Sequence, residues 1–260
     1  MSRPRATREE VFYDTAPRLA PLAPAQAPRR VLVLSIYRPG SLLPRAAPRL
    51  RSERHDATFA FGATGAPEPA LADSTALDGL GGGKFENLNR LLAAAPPLDG
   101  FDWLVVSDDD VELAPRFLDR ALALCERLGL DIAQPAQTMR SHAAWRVTRR
   151  RPFSLARRTD YVEIGPVTIF SRRAAAELTP FPELRFGWGL DNHWGALARE
   201  RGWRVGILGG LLVRHGAQEV ATTHNQPQAI EEVARFLAGR PYVPTEEAQR
   251  TLSTIRRIPS

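Results

Sequence analysis

Three consecutive carboxylates, Asp108–Asp110, are the most chemically suggestive residues in the chain. They follow Ser107 and end a short apolar run, Trp103–Val106, whose aromatic and β-branched residues predict a buried strand. Negative charge at the end of a buried strand is costly unless a cation balances it, and carboxylate oxygens are the ligands that Mg²⁺ and Mn²⁺ prefer. Because open α/β sheets bind ligands at the carboxyl ends of their strands, the pattern predicts a metal site here. The alternative is a surface turn before an acidic helix N-terminus, since Glu112 follows and a helix is predicted from Pro115.

A second group of residues, Gly187-Trp188-Gly189 followed by Asp191, opens a predicted helix that runs to Arg201. A suitably placed carboxylate can take the proton of an attacking hydroxyl group, so Asp191 is a candidate general base. The glycines permit a tight backbone turn and the close approach of a ligand. The structural alternatives are an N-cap role for Asp191 and a core position for Trp188.

Lys84 and His215 add two further candidates. Lys84 follows three glycines, Gly81–Gly83, at the start of a predicted helix, where free backbone N–H groups and a positive side chain favour an anion. The spacing is not that of a phosphate-binding Walker motif, and a flexible loop that caps the helix is the alternative. His215 follows the apolar run Leu211–Val213, and its imidazole is a suitable ligand for Mn²⁺. His193 and His224 are weaker alternatives.

Apolar runs alternate along the chain with helical patterns, which predicts one α/β domain with a mostly parallel central sheet flanked by helices. We expect a Pro-, Ala- and Arg-rich arm over 1–29, a catalytic domain over 30–240 and a helical tail over 241–260. The predicted strands are Val31–Tyr37, His55–Gly62, Trp103–Val106, Asp131–Pro135, Tyr161–Phe170 and Trp203–Leu212. The predicted helices are Phe85–Ala95, Pro115–Leu128, Arg172–Leu178, 190–201, Ala229–Ala238 and Glu246–Ile255.

The charge balance of the 260 residues is basic, with a formal net charge of +6. Lys84 is the single lysine, so the positive charge is almost entirely arginine and reflects the composition of the whole chain; nucleic acid is not an expected partner. The basic stretch Met139–Arg158 is interpreted as a solvated excursion, with contact to phosphates or to an acceptor as the alternative. A single cysteine excludes an internal disulfide, and the N-terminus lacks a signal-peptide pattern, so we expect a cytoplasmic location.

Three motifs in this order resemble those of the GT-A glycosyltransferases. They are the apolar strand that ends in the DxD-type motif Ser107-Asp108-Asp109-Asp110, the Gly-Trp-Gly-x-Asp turn that opens a helix, and a histidine after a later strand. The chain looks like a bacterial family 2-type member with a Rossmann-like GT-A domain. Its GWG turn is similar to that of the β-1,4-galactosyltransferases. The resemblance covers about residues 30–216.

The resemblance implies a division of labour at the site. Asp108 approaches the ribose and shares the metal with Asp110 and His215. Asp109 is placed among the donor-binding residues, with its side chain turned away or bonded to backbone. Ser35, Tyr37 and Arg38, in the loop after the first strand, lie near the nucleoside, and Lys84 meets the phosphates. Asp191 acts as base, with Glu163 as the alternative because Leu190 stands where the family commonly has Glu. Trp188 and Gly189 face the acceptor, with a sugar ring stacked on the indole.

The predicted function is therefore metal-dependent transfer of a sugar from a nucleotide-sugar donor to an acceptor hydroxyl, with inversion and with Mn²⁺ or Mg²⁺ as cofactor. A metal-dependent nucleotidyltransferase is the alternative enzyme, since it also needs a carboxylate–metal clamp. A non-catalytic basic binding module on the same scaffold is the alternative from another class. The acceptor is left open between a glycan, a lipid-linked molecule and a small molecule. No apolar run is long enough to span a bilayer, and peripheral membrane contact is left open.

Overall fold

The computed structural model describes residues 27–141, 143–216 and 226–258, without the side chains of Leu212 and Gln226. Most of the predicted arm over 1–29 and His224 lie outside the described residues. The strands are β1 Arg30–Tyr37, β2 Asp56–Ala63, β3 Thr75–Leu77, β4 Trp103–Ser107, β5 Val111–Leu113, β6 Ile132–Gln137, β7 Ala156–Thr159, β8 Val167–Ser171, β9 Val205–His215 and β10 Thr251–Ile255. The helices are α1 Leu43–Leu50, α2 Lys84–Ala94, α3 Phe117–Leu128, α4 Arg172–Leu178, α5 Leu190–Arg201, α6 Gln226–Leu237 and α7 Thr245–Ala248.

The strands form one sheet in the order β10-β7-β9-β6-β8-β4-β1-β2-β3, and β5 pairs with β9 off this path. The pairs β2–β3, β1–β2, β1–β4 and β6–β9 are parallel, whereas β8 runs antiparallel to both β4 and β6. β7 is antiparallel to both β9 and β10. Of the nine strands in this order, which the described residues form, all except β7 and β8 therefore run in the same direction. The predicted α/β fold with a mostly parallel central sheet is confirmed.

The central strands are buried on both faces, as their unbroken apolar runs predict. In β1, Val31 and Val33 belong to a core layer formed with α1 and α3, whereas Leu32 and Leu34 belong to the opposite layer formed with α2, α4 and α5. This alternation follows from the two-residue period of a strand. The two layers fix β1 and β4 in the middle of the domain, and the carboxyl ends of these strands therefore have defined positions.

Four elements were not predicted, namely helix α1 and the short strands β3, β5 and β7, and one further element differs from its prediction. In helix α1, Pro44 lies in the first turn, and the apolar residues Leu43, Ala46, Ala47 and Leu50 are buried. The helix predicted for Glu246–Ile255 is wrong over its second half. Only Thr245–Ala248 is helical, and Thr251–Ile255 forms the edge strand β10, since pairing with β7 satisfies its backbone groups.

The basic stretch 139–158 is anchored to the domain more firmly than predicted. Arg157 on β7 is fully buried, and its guanidinium donates to the carbonyls of Val147 (2.8 Å) and Arg149 (2.6 Å). Burial lowers the pKa of Arg157 to about 10. Exposed side chains remain at Met139, Arg140, Arg146 and Arg151, so the solvated interpretation applies to only part of the stretch. Among the described residues, no helix has the length and apolarity needed to cross a bilayer.

Candidate active site

Two acidic residues and one histidine meet at the carboxyl ends of β4 and β9. Asp108 follows β4, Asp110 precedes β5, and the pairing of Val111 with His215 brings the end of β9 beside them. His215 Nε2 lies 3.2 Å from Asp110 Oδ1 and 3.7 Å from Asp108 Oδ2. One ligand atom from each of the three side chains lies within 4.8 Å of the others. The structure thus brings together the three residues that were predicted as metal ligands.

This cluster has the chemistry and the free space that a divalent cation requires. Two carboxylates and an imidazole suit Mn²⁺, and the carboxylates also suit Mg²⁺. Glycines lie against both carboxylates: a Cβ at Gly165 would collide with Asp108 Oδ2, and a Cβ at Gly216 would collide with Asp110 Oδ2. Glycine at these two positions therefore leaves room for both carboxylates beside the backbone.

The middle carboxylate of the motif, Asp109, faces away from this cluster. It accepts hydrogen bonds from the Arg38 backbone N–H (2.9 Å) and from Arg38 Nε and Nη2 (3.1 Å each). Its own carbonyl accepts from the N–H of Leu42 at 2.9 Å. Asp109 therefore ties the loop after β1 to the end of β4. The hydrogen bond with Asp109 also raises the pKa of Arg38, so that the guanidinium stays charged.

Lys84 enters the same site from the start of α2. Its ammonium donates to Asp108 Oδ1 and to the carbonyl of Ile164, the latter at 2.8 Å. The preceding Gly83 caps α2, and its N–H donates to Glu86 Oε2 at 2.7 Å. A Cβ at Gly83 would lie 2.5 Å from the Cα of Arg185. Close packing against the backbone of Arg185 thus requires glycine at position 83, and this requirement does not depend on anion binding.

Asp191 lies on the first turn of α5 and is buried, with 9% of its surface exposed. The Tyr161 hydroxyl donates to Asp191 Oδ2 at 2.6 Å, and the backbone N–H of Asn192 donates to Oδ1 at 3.0 Å. Burial raises the pKa of Asp191 from 3.8 to about 6, although both hydrogen bonds oppose this rise. A carboxylate with this pKa is ionised at neutral pH and is a competent proton acceptor.

Glu163, the alternative base, is committed to other contacts. Its carboxylate accepts from Gln137 Nε2 (2.9 Å), from the N–H of Trp145 (3.2 Å) and from the hydroxyl of Thr148. Its backbone N–H donates to Gln134 Oε1 at 2.8 Å. Burial raises its pKa, and these hydrogen bonds lower it. Glu163 thus fastens the turn that carries Trp145 to strand β6, which leaves Asp191 as the better-placed base.

The Gly-Trp-Gly turn is held in an unusual backbone conformation. Gly187 and Gly189 have positive φ angles of 75° and 87°, which favour glycine. A Cβ at Gly187 would collide with the ring of Phe85, and one at Gly189 would lie 2.6 Å from Val233 Cγ2 on α6. Between them, Trp188 is partly exposed and faces the cavity described below.

Glu232 on α6 fixes this turn from outside. Its carboxylate accepts three backbone N–H groups, from Arg185 (2.7 Å), Phe186 (2.9 Å) and Gly187 (3.1 Å). A helix that was predicted as peripheral therefore supports the candidate acceptor side. Neither Glu232 nor Tyr161 was among the predicted site residues, and no spacing in the sequence marks them, because their contacts connect segments about 30 to 47 residues apart.

A cavity of about 970 Å³ is lined both by Asp191 and by the cluster of Asp108, Asp110 and His215. The predicted site residues that line it are Arg38, Lys84, Asp108, Asp109, Asp110, Glu163, Trp188, Gly189, Asp191 and His215. Ser35 and Tyr37 do not line it, contrary to their expected position near the nucleoside. The alternation along β1 turns Ile36 and Arg38 to the cavity instead, and Tyr37 is fully buried with its hydroxyl 2.8 Å from that of Thr75.

A smaller cavity of about 620 Å³ lies at the opposite end of the central strands, beside the amino end of β4. Its charged lining residues are paired with one another, as in Arg172 with Asp102 (2.9 Å) and Arg173 with Asp131 (2.5 Å). These pairs neutralise the lining without a ligand, so the larger cavity is the candidate active site.

No protein family and no curated protein sequence matches the chain. Solved structures do match its fold. The 1–349 fragment of S. aureus TarS in complex with UDP-GlcNAc matches with a TM-score of 0.57 at 11% identity, covering 81% of this chain and 66% of that one. The mannosyltransferase PcManGT from Pyrobaculum calidifontis, with GDP-Man and Mn²⁺, also gives a TM-score of 0.57, at 14% identity and with 85% and 67% coverage.

GalNAc-T7 with UDP, GalNAc and Mn²⁺ matches with a TM-score of 0.54 at 11% identity, covering 80% of this chain and 48% of that one. The chain thus spans about half to two thirds of the length of these three structures. These three structural neighbours are GT-A glycosyltransferases, and at these identities the likeness establishes the fold alone. The chain has a GT-A-like fold with a DxD-like cluster at Asp108–Asp110.

Proposed function

We propose that this protein is a metal-dependent glycosyltransferase that moves a sugar from a nucleotide-sugar donor to an acceptor hydroxyl. The observation that carries the proposal is one cavity lined by two chemically different groups. These are a cluster suited to a divalent cation, formed by Asp108, Asp110 and His215, and the buried carboxylate of Asp191. The GT-A-like fold and the nucleotide sugars bound by its structural neighbours support this proposal.

In the proposed donor half, each residue has a distinct task. Ile36 and Arg38 contact the nucleoside, and the ammonium of Lys84 contacts the diphosphate. Asp108, Asp110 and His215 hold Mn²⁺ or Mg²⁺. The bound ion would act as a Lewis acid on the diphosphate, whose negative charge grows as the sugar leaves.

In the proposed acceptor half, Asp191 accepts the proton of the acceptor hydroxyl. The hydroxyl oxygen forms a bond to the anomeric carbon, while the bond from that carbon to the phosphate oxygen breaks and its electron pair leaves with the diphosphate. A single displacement of this kind inverts the anomeric configuration. Trp188 offers the acceptor an apolar face, held in place by Gly187 and Gly189. The closer similarity of this turn to β-1,4-galactosyltransferases stays a prediction.

The test is a thermal-shift panel of nucleotide sugars with and without Mn²⁺. A donor that binds the native state raises its stability, by about 2.7 kcal/mol at a concentration 100 times its Kd. We expect a rise with at least one donor only when Mn²⁺ is present, and we expect Asp110→Ala to abolish it. The matched control is Glu112→Ala, since Glu112 is exposed and pairs with Arg214 at 3.0 Å outside the cavity. Unchanged donor binding in Asp110→Ala would contradict the metal assignment.

Product analysis separates this proposal from the alternatives. Release of a nucleoside diphosphate from the donor, lost in Asp191→Asn while donor binding is kept, supports glycosyl transfer. Release of pyrophosphate from a triphosphate would instead support the nucleotidyltransferase. Binding that falls steeply with salt and ignores Asp110→Ala would support the basic binding module. The acceptor class and the cytoplasmic location remain predictions, as does peripheral membrane contact.

A further inference from the structure

We propose that Tyr161 is the positioning residue of Asp191, whose phenol hydroxyl orients the carboxylate and stabilises its charged form. This inference rests on the proposed function, in which Asp191 accepts the proton of the acceptor. It assigns a role to a residue that has no distinctive sequence pattern and touches the base rather than the reacting atoms.

The hydrogen bonds around Asp191 leave its carboxylate one orientation. Tyr161 donates to Oδ2 at 2.6 Å, and the N–H of Asn192 donates to Oδ1 at 3.0 Å. Rotation of the carboxylate would break both contacts in a buried environment, where an unsatisfied polar group is costly. A carboxylate has about four lone-pair sites, more than these two hydrogen bonds use, so Asp191 can still take a proton. The cavity, which both Tyr161 and Asp191 line, is where that proton would come from.

Tyr161 is itself held firmly. The residue is 2% exposed and packs in a small core cluster with Val147, Ala196 and Val243. The indole of Trp145 meets it edge to face, with ring centroids 6.4 Å apart. The hydroxyl of Thr159 donates to the Tyr161 carbonyl at 2.8 Å. A phenol fixed in this way can fix the carboxylate to which it donates.

The phenol remains a donor at every pH at which the base would work. Burial, followed by the negative charge of Asp191, raises the pKa of Tyr161 well above 10. Tyr161 therefore does not compete with Asp191 for the proton of the acceptor. Its hydroxyl stabilises the carboxylate more than the neutral acid, because hydrogen bonds to a charged group are stronger than those to a neutral one.

The electrostatics around Asp191 make this hydrogen bond consequential. Burial raises the pKa of Asp191, and the nearby charge of Glu163 raises it further, while the hydroxyl of Tyr161 and the N–H of Asn192 lower it. On α6, the carboxylate of Glu232 is bound to three backbone N–H groups. Without the phenol, the rise in the Asp191 pKa caused by burial and Glu163 would be opposed chiefly by backbone hydrogen bonds. The pKa of Asp191 would then be higher.

The test is the pH dependence of kcat/KM for sugar transfer in Tyr161→Phe, which keeps the ring and removes the hydroxyl. We expect the acid limb to move from about pH 6 upward by about one unit, with about a tenfold loss below the wild-type midpoint and a smaller loss at high pH. Tyr242→Phe, which removes an exposed phenol outside the cavity, should leave the profile unchanged. An equal loss at every pH, or no loss, would overturn the proposal.

A second measurement does not need catalysis. The carboxyl carbon of Asp191, identified in NMR spectra by its disappearance in Asp191→Asn, is titrated in wild type and in Tyr161→Phe. We expect its midpoint to be higher in Tyr161→Phe, and equal midpoints would overturn the positioning role. The absence of transfer with every donor, together with a raised midpoint, would contradict the proposed function and leave the pairing of Tyr161 with Asp191 established.

Discussion

Burial of the Asp191 side chain favours its neutral form, and the free energy of unfolding of the domain therefore depends on pH. Its pKa rises from 3.8 to about 6 on folding, so its contribution to stability is complete below about pH 4 and is lost as the pH rises through 6. A shift of this size corresponds to about 3 kcal/mol, as an upper estimate. A group retained at that cost is typical of a functional site rather than of a helix cap alone.

Asp191→Asn should therefore stabilise the protein relative to wild type at pH 8 and not at pH 4. Asparagine keeps the shape of the side chain and carries no charge to desolvate. The difference between the two free energies of unfolding, measured by urea denaturation, isolates this residue because all other groups are common to both proteins. We expect the difference to grow by up to about 3 kcal/mol from pH 4 to pH 8. Parallel pH profiles would show that Asp191 is not desolvated as its burial implies.

At the same scale, prediction from sequence succeeded where a residue's position in a strand carried the information. Asp108 and His215 follow apolar runs, and strands of one direction end at one edge of a sheet, so their meeting could be anticipated. The contact of Tyr161 with Asp191 could not, because it depends on how a loop folds back on a helix 30 residues later. For Tyr37, the strand was predicted correctly but the face was not, since both faces of β1 are apolar.

Among the elements, helix α6 supports the proposed acceptor side although it is not part of the predicted site. Through Glu232 it binds three successive backbone N–H groups before and within the Gly-Trp-Gly turn, and its residue Val233 packs on Gly189. Both glycines adopt positive φ angles without strain, so the contacts with Glu232 and Val233 select this turn among the conformations open to glycine. The pattern of α6 predicted a helix, but nothing in the sequence indicated what that helix would touch.

Glu232→Ala should loosen the turn without disturbing the donor half. We expect the KM for the acceptor to rise several-fold, and metal-dependent donor binding to stay as in wild type, because the Asp108–Asp110 cluster lies on other elements. Glu231→Ala is the matched control, since Glu231 is the exposed neighbour on the same helix. Kinetics with varied acceptor, beside the donor thermal-shift assay, provide the measurement. A loss of donor binding in Glu232→Ala alone would mean that the two halves are not supported independently.

For the whole molecule, the fold class followed from the alternation of apolar runs with helical patterns, and the structure confirms it. The errors are the unpredicted elements α1, β3, β5 and β7, and β10, which was predicted as helix. β10 is a strand because it pairs with β7. Local sequence determines the central elements, where burial on both faces leaves one solution. At an edge, by contrast, a partner distant in the chain decides between helix and strand.

Lys84, which pairs with Asp108, offers a chemical way to detect donor binding in the cavity. Lys84 is the single lysine in 260 residues, its side chain is 28% exposed, and it lies inside the cavity. An amine-reactive acylating reagent should therefore modify one side chain, at position 84, besides the terminal amine. A donor bound with Mn²⁺ should slow acylation at Lys84 and leave the terminal amine unaffected, as peptide mass spectrometry can measure. Equal rates with and without donor would place the donor away from Lys84. Because the chain has one lysine, the extent of acylation at Lys84 reports directly how much of the site is occupied by donor.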